Sequence, residues 1–133
     1  MDTKAWGPPA WKFMFITVAN YPLEIDPNNR LHRAKKRHYK NFLVNMKDIL
    51  PCKYCRRSYS KFLKELPISK FLGSRQKLMY WLYLIKDKVN KKLIAQGNMY
   101  TKPSPPFEEV CKYYEKYRAH CSDKTKTCRK PKI

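Results

Sequence analysis

Leu78, Met79, Trp81, Leu82, Ile85, Val89 and Leu93 recur at intervals of three and four residues. A stripe that long belongs to an α-helix, and it must be covered by other helices or by a sheet. Gly73-Ser74 opens the segment, with Ser74 as its N-cap, and Gly97-Asn98 closes it. The rest of the chain offers helices to cover it. Trp6-Gly7-Pro8-Pro9 reads as a turn leading into a first helix, with the prolines in its first turn. This helix runs to about Ala19 and is apolar nearly all round, from Trp11 through Phe13, Met14, Phe15 and Ile16 to Val18.

Asp26-Pro27-Asn28-Asn29 is a turn or cap signal before a second helix. Its expected core stripe is Leu31, Ala34, His38, Phe42, Met46 and Ile49, opposite a basic face that includes Arg30, Arg33, Lys36 and Lys40. Pro51 ends it. A third helix restarts at Cys52, turns Tyr59, Phe62, Leu63 and Leu66 inward, and stops at Pro67. After a proline-rich connector over 101–106, Ser104 is expected to cap a short fifth helix, with Pro105 at its first position. Glu108 and Glu109 then fall in the first turn, where the helix dipole favours acids. The predicted fold is all-α, a four-helix bundle with a short fifth helix. Residues 1–121 form one domain, and 122–133 form a polar, basic and mobile tail.

Composition agrees. The chain has 133 residues, enough for one core, and only three glycines, which disfavours a turn-rich β fold. With 43% hydrophobic residues it is no disordered chain. Thirty Lys and Arg against ten Asp and Glu give a net charge of +20, a field that attracts polyanions such as nucleic acid, acidic membrane or an acidic protein. No stretch approaches the roughly 20 apolar residues of a membrane span. The first residues, Met1-Asp2-Thr3-Lys4-Ala5-Trp6-Gly7, lack the pattern of a secretory signal. A cytoplasmic location is therefore expected, and structural disulfides are uncommon there. Five cysteines in such a chain point to redox or metal chemistry.

Cys52-Lys53-Tyr54-Cys55 is the sharpest motif. Two cysteines three apart at a helix start lie within disulfide reach. The helix N-terminus, with Lys53, Arg56 and Arg57 nearby, stabilises a thiolate. Thiol–disulfide exchange needs that thiolate both to attack and to leave. The competing reading is half of a zinc site, which needs two further ligands. Cys111, Cys121 and Cys128 form no second knuckle, and His32, His38 and His120 form no ligand pair, so no metal site is expected. A dithiol that only shuffles disulfides usually sits in a βαβ setting, absent here. A helical Cys-x-x-Cys needs another electron sink, which suggests a bound cofactor.

Four pieces in order make the chain resemble the Erv/ALR family of FAD-linked sulfhydryl oxidases. They are Trp6-Gly7-Pro8-Pro9-Ala10-Trp11 with Ala19-Asn20-Tyr21-Pro22, then Leu50-Pro51-Cys52-Lys53-Tyr54-Cys55, then Lys86-Asp87-Lys88-Val89-Asn90-Lys91-Lys92-Leu93, and finally Cys111 with Cys128. The Asp87-Lys88-Val89-Asn90 variant is most similar to forms encoded by large cytoplasmic DNA viruses, which would place the protein in host cytoplasm or virion. The resemblance implies FAD as cofactor, protein dithiols as substrates, dioxygen as acceptor with hydrogen peroxide as product, and a homodimer. Cys52 would exchange with the substrate, and Cys55 would face the flavin as the charge-transfer thiolate. Gly7 and Trp11 would line the flavin, Tyr21 would contact it, and Val89, Asn90 and Leu93 would hold the adenine side. Tyr114 is the aromatic chosen to stack on adenine, and Lys91 or Lys92 would meet the pyrophosphate. Cys111–Cys128 would be a structural disulfide.

The chain departs from the family pattern at three positions. Phe15 and Lys86 stand where the family usually has histidines, and Ala95 where it has a lysine. Phe15 still offers an aromatic wall, and Lys86 a cation. These changes fall on the cofactor's surroundings and leave the two sulfurs untouched. Cys111 and Cys121 on one helix would lie about 15 Å apart, too far to bond. Cys121–Cys128 as a tail disulfide relaying electrons to Cys52 is the alternative to the Cys111–Cys128 staple. Two rival functions stay open: a basic nucleic-acid-binding or virion structural protein with non-catalytic cysteines, and a flavin-less dimeric scaffold.

Overall fold

The computed structural model describes residues 3–129. Its elements are α1 (Thr3–Ala19), α2 (Arg30–Ile49), α3 (Lys53–Glu65), a 3₁₀ turn (Ile68–Phe71), α4 (Arg75–Ala95), α5 (Phe107–Glu115), and strands β1 (His120–Ser122) and β2 (Thr127–Arg129). The fold is the expected helical bundle of four helices with a short fifth. α4 is its centre, packing against α1, α3, α5 and the 3₁₀ turn, while α2 pairs with α3. Leu78, Trp81, Leu82 and Ile85 of α4 are fully buried among Phe15 and Val18 of α1, Leu43 of α2 and Tyr59 of α3.

Buried aromatics keep their polar atoms bonded, as the low-dielectric interior requires. Trp81 Nε1 donates to the Leu66 carbonyl at 2.9 Å, and Tyr59 Oη donates to the Leu43 carbonyl. Tyr21 Oη donates to the Leu72 carbonyl at 2.6 Å, and burial pushes the Tyr21 phenol up to about 12. Caps follow the sequence at two helices. The Asn29 side chain accepts from the Leu31 and His32 amides, and Ser74 Oγ accepts from the Lys77 amide. Gly97, at φ +81, takes the left-handed conformation that ends α4.

Four expectations are corrected. α1 already includes Thr3, so Pro8 and Pro9 lie in its second turn rather than its first, and neither supplies an N–H to the preceding turn. α5 begins at Phe107 with Pro106 at its N-cap and no side-chain cap, because Ser104 lies two residues too early; its Oγ accepts instead from the Asn90 amide at 2.9 Å. On α2 the core-facing residues are Leu43 and Tyr39, whereas Leu31 and Ile49 are 72% and 63% exposed. Of the expected stripe, Phe42 and Met46 pack against the core and Ala34 is half-buried, while Leu31, His38 and Ile49 lie outside. The start of the expected mobile tail is a two-stranded antiparallel hairpin, with Cys121 opposite Cys128. Residues 130–133 of that tail lie outside the described residues.

The two cysteines facing each other in the hairpin form the disulfide Cys121–Cys128. This overturns the Cys111–Cys128 staple. The hairpin closes a short loop at small entropic cost, whereas Cys111 is held on α5, half-buried against the core. The stem of the hairpin is pinned to the end of α1, where Asn20 Oδ1 accepts from the Ala119 amide at 2.7 Å. No helix among the described residues is long and apolar enough to cross a membrane.

Candidate functional site

Cys52 is the N-cap of α3, in extended conformation, and Cys55 lies in the first turn. The Leu50-Pro51 step ends α2 and aims the chain into α3, so the pair stands at the junction of the two helices. Both thiols are reduced in this structure. Their environments differ. The backbone N–H of Cys55, then its thiol, stabilise a thiolate at Cys52 and lower its pKa, with the Lys92 ammonium adding to this. Burial, followed by the neighbouring Cys52 sulfur, pushes the Cys55 thiol up, against the opposing charges of Lys92 and Arg56. Both residues are half-buried, but Cys52 is the readily ionised sulfur and Cys55 the one whose charge burial opposes.

Lys92 reaches this end of the bundle from α4, and its Nζ donates to Ser58 Oγ on α3 at 2.6 Å. Replacing it with Met removes the cation and raises both thiol pKa values. Iodoacetamide should then label Cys52 several-fold more slowly near neutral pH, because less thiolate is present there. An unchanged pH profile of labelling would remove Lys92 from this role.

A second feature lies along α4. Between α1, α4 and α5 lies a cleft of about 350 Å³, within the usual range of small-molecule sites. Phe15, Lys86, Asn90 and Tyr114 line it, four of the residues singled out from the sequence. Phe15 and Tyr114 stack with centroids 4.9 Å apart and planes 10° apart. Lys86 Nζ lies 5.1 Å from the centre of the Trp11 ring and donates to Asn90 Oδ1 at 3.2 Å. Burial lowers the Lys86 pKa. Asn90 is 8% exposed and completes the polar chain through Ser104. From Lys86 to Lys92 is about 9 Å of helix rise and roughly 240° of turn, so α4 carries the cleft on one side and, two turns on, the cation that faces the dithiol.

Gly7, Trp11 and Phe15 fall at four-residue intervals on α1 and share its face. A side chain added at Gly7 would meet open space, and the indole N–H of the adjacent Trp6 is buried without a hydrogen-bond partner. Leu93 is half-buried near the end of α4. Tyr21 is not brought to the cleft, since it is fully buried and its ring meets the edge of Tyr39. Lys91 is exposed and pairs with Asp87 at 2.8 Å, and Lys92 bonds Ser58 beside the thiols. Tyr83 and Ser104 also line the cleft and had not been anticipated as site residues. The signal for Tyr83 was its place three and seven residues before Lys86 and Asn90. Among the described residues, no group of three or more His, Cys, Asp or Glu side chains gathers as a metal ion would require.

The hairpin disulfide lies at the other end of the bundle. Arg75, at the start of α4, donates to the Tyr21 carbonyl, close to the Asn20 that holds the hairpin stem. Lys92 and the dithiol lie about 25 Å of helix rise farther along. Relay from Cys121–Cys128 to Cys52 within one chain is not supported by this arrangement.

Comparison with known proteins bears on both features. Over 115 residues the chain is 28% identical to the mitochondrial FAD-linked sulfhydryl oxidase ERV1 of Saccharomyces cerevisiae, covering 86% of this chain and 51% of that protein. It thus spans about half of that relative's length. The crystal structure of the yeast Erv1 core superposes with a TM-score of 0.66 at 27% identity, over 87% of this chain and 82% of the other. The FAD binding domain of Erv1 from Saccharomyces cerevisiae gives the same TM-score at 28% identity, over 87% and 92% of the two chains. Residues 8–109 match the Erv1 / Alr family, and the chain belongs to that family.

Proposed function

We propose that the protein is an FAD-dependent thiol oxidase that makes disulfides in protein substrates. The observation that carries this is the unequal dithiol, with a thiolate favoured at Cys52 and opposed by burial at Cys55, on a bundle whose central helix also walls an aromatic cleft. The cleft suits FAD. Phe15 and Tyr114 offer flat faces, while Lys86 and Asn90 offer donors. When bound, FAD would accept the electron pair from the dithiol and deliver it to dioxygen as hydrogen peroxide.

The chain's own part is thiol exchange. A substrate thiolate attacks Cys52 of the oxidised pair, the Cys52–Cys55 bond breaks, and Cys55 leaves as a thiolate facing Lys92 and Arg56. The second substrate thiol then attacks the mixed disulfide, the substrate disulfide forms, and Cys52 departs. Its lowered pKa makes it a good leaving group. The test is spectroscopic. Purified protein should take up FAD, absorb near ~450 nm, bleach with dithiothreitol and consume oxygen. A colourless protein that takes up no flavin would instead favour the nucleic-acid-binding or scaffold reading.

Two finer points belong to the same proposal. The exposed apolar residues Phe13 of α1 and Leu31 and Ile49 of α2 support a homodimer built on these two helices. Phe13→Asp should lower the sedimentation mass to that of the monomer. The Asp87-Lys88-Val89-Asn90 variant supports a viral, cytoplasmic or virion form. Removal of the hairpin disulfide in a Cys121→Ala, Cys128→Ala variant should leave dithiothreitol turnover within about twofold of the parent, since the hairpin is remote from Cys52. A collapse of turnover would restore the relay.

A further inference from the structure

A stripe of cations starts at the dithiol and runs down α3. Lys53, Arg56, Arg57, Lys61 and Lys64 follow the three-and-four spacing of one helix face. With Lys47 of α2 they line an open cleft of about 570 Å³ whose one neutral lining residue is Ser60. Among the described residues, only Lys61 of these six forms an ion pair, a loose one with Glu65 at 4.0 Å. Arg56 is fixed by donating to the Leu50 carbonyl at 2.6 Å, which ties the stripe to the Cys52 turn. Six like charges in one cleft repel each other, and an anionic occupant would relieve that repulsion.

We propose that this cleft docks an acidic polypeptide segment flanking the substrate's cysteines. This rests on the oxidase reading above and names the substrate class it selects. The position argues for it. From Lys53 to Lys64 is about 16 Å of helix rise, the span of roughly five extended residues leading away from a cysteine held at Cys52. Tyr54, 67% exposed between the two cysteines, gives the same segment an apolar contact at the point of exchange. The single ring beside the cleft, Tyr54, sits at the point of thiol exchange and the lining itself holds none, an arrangement that favours a polypeptide led away from a cysteine over a run of stacked bases.

The experiment uses the full chain loaded with FAD and two Cys-x-x-Cys peptides, one flanked by four aspartates and one by four lysines. At low ionic strength the acidic peptide should show about tenfold higher kcat/KM, with the gap closing as salt screens the field. In a Lys47→Glu, Lys61→Glu, Lys64→Glu variant the preference should fall to near one or reverse, while arginine at the same three positions keeps it. Fluorescence anisotropy of the acidic peptide with serines for cysteines reads docking without catalysis. If dithiothreitol is not oxidised but this peptide binds and the glutamate variant releases it, the oxidase reading fails and the acidic-peptide cleft stands. Equal binding of both peptides, or binding indifferent to the glutamate variant, overturns the cleft. Displacement by a single-stranded oligonucleotide at lower concentration than by unlabelled acidic peptide overturns it in favour of nucleic acid.

Discussion

Changing Cys55 to Ser is expected to reduce thiol oxidation by a factor on the order of 10³ or more, because the two sulfurs act as one unit. Serine keeps the size of the side chain, so the first turn of α3 and the cleft across α4 persist and flavin uptake is retained. The substrate thiolate has no disulfide to attack, and Cys52, with its thiolate favoured, is left as a lone reactive thiol. Cys52 would instead accumulate as a mixed disulfide when oxidised substrate is supplied, visible as an added mass in non-reducing mass spectrometry. Cys52→Ser should lose turnover equally but trap nothing, because the Cys55 pKa is raised by burial. Preserved turnover in the Cys55 variant would refute its place in the exchange.

The largest loss of stability is expected from Trp81→Ala. Trp81 is fully buried at the middle of the central helix, and its indole N–H holds the Leu66 carbonyl at the end of α3. Truncation leaves a cavity and an unanswered carbonyl, costing about 3–5 kcal/mol. For a chain of this size that lowers the thermal midpoint by roughly 10–18 °C. Trp81→Phe should cost much less, since it keeps most of the volume and gives up the hydrogen bond. A melt followed by circular dichroism separates the two, and equal midpoints for Trp81→Ala and the parent would remove Trp81 from the core.

How far the sequence was legible depended on how local the deciding contacts are. α3 and α4 were read with their inward faces because Tyr59, Phe62, Leu78, Leu82 and Ile85 repeat strictly and bury against several neighbours. The Ser74 and Asn29 caps were legible for the same local reason. On α2 the sequence pattern is only partly legible. Phe42 and Met46 pack on the core as their spacing suggests, but Leu43 and Tyr39 join them and Leu31 and Ile49 stay outside, because an apolar stripe does not name its partner. Ser104 was read as a cap from its sequence position, whereas Asn90, on the central helix, claims its hydroxyl.

The amino-acid sequence by itself determined the helical repeat, the Cys52–Cys55 spacing at a helix start and a surplus of positive charge. Those are properties of neighbouring residues, set by 3.6 residues per turn and by side-chain chemistry. Only the tertiary structure decided which helix supplies the cation facing the thiols, which rings wall the cleft, and that Cys128 bonds Cys121. Lys92, Phe15 and Tyr114 come from separate helices. Their meeting depends on how those helices pack around Trp81, a contact between distant parts of the chain that no local pattern encodes.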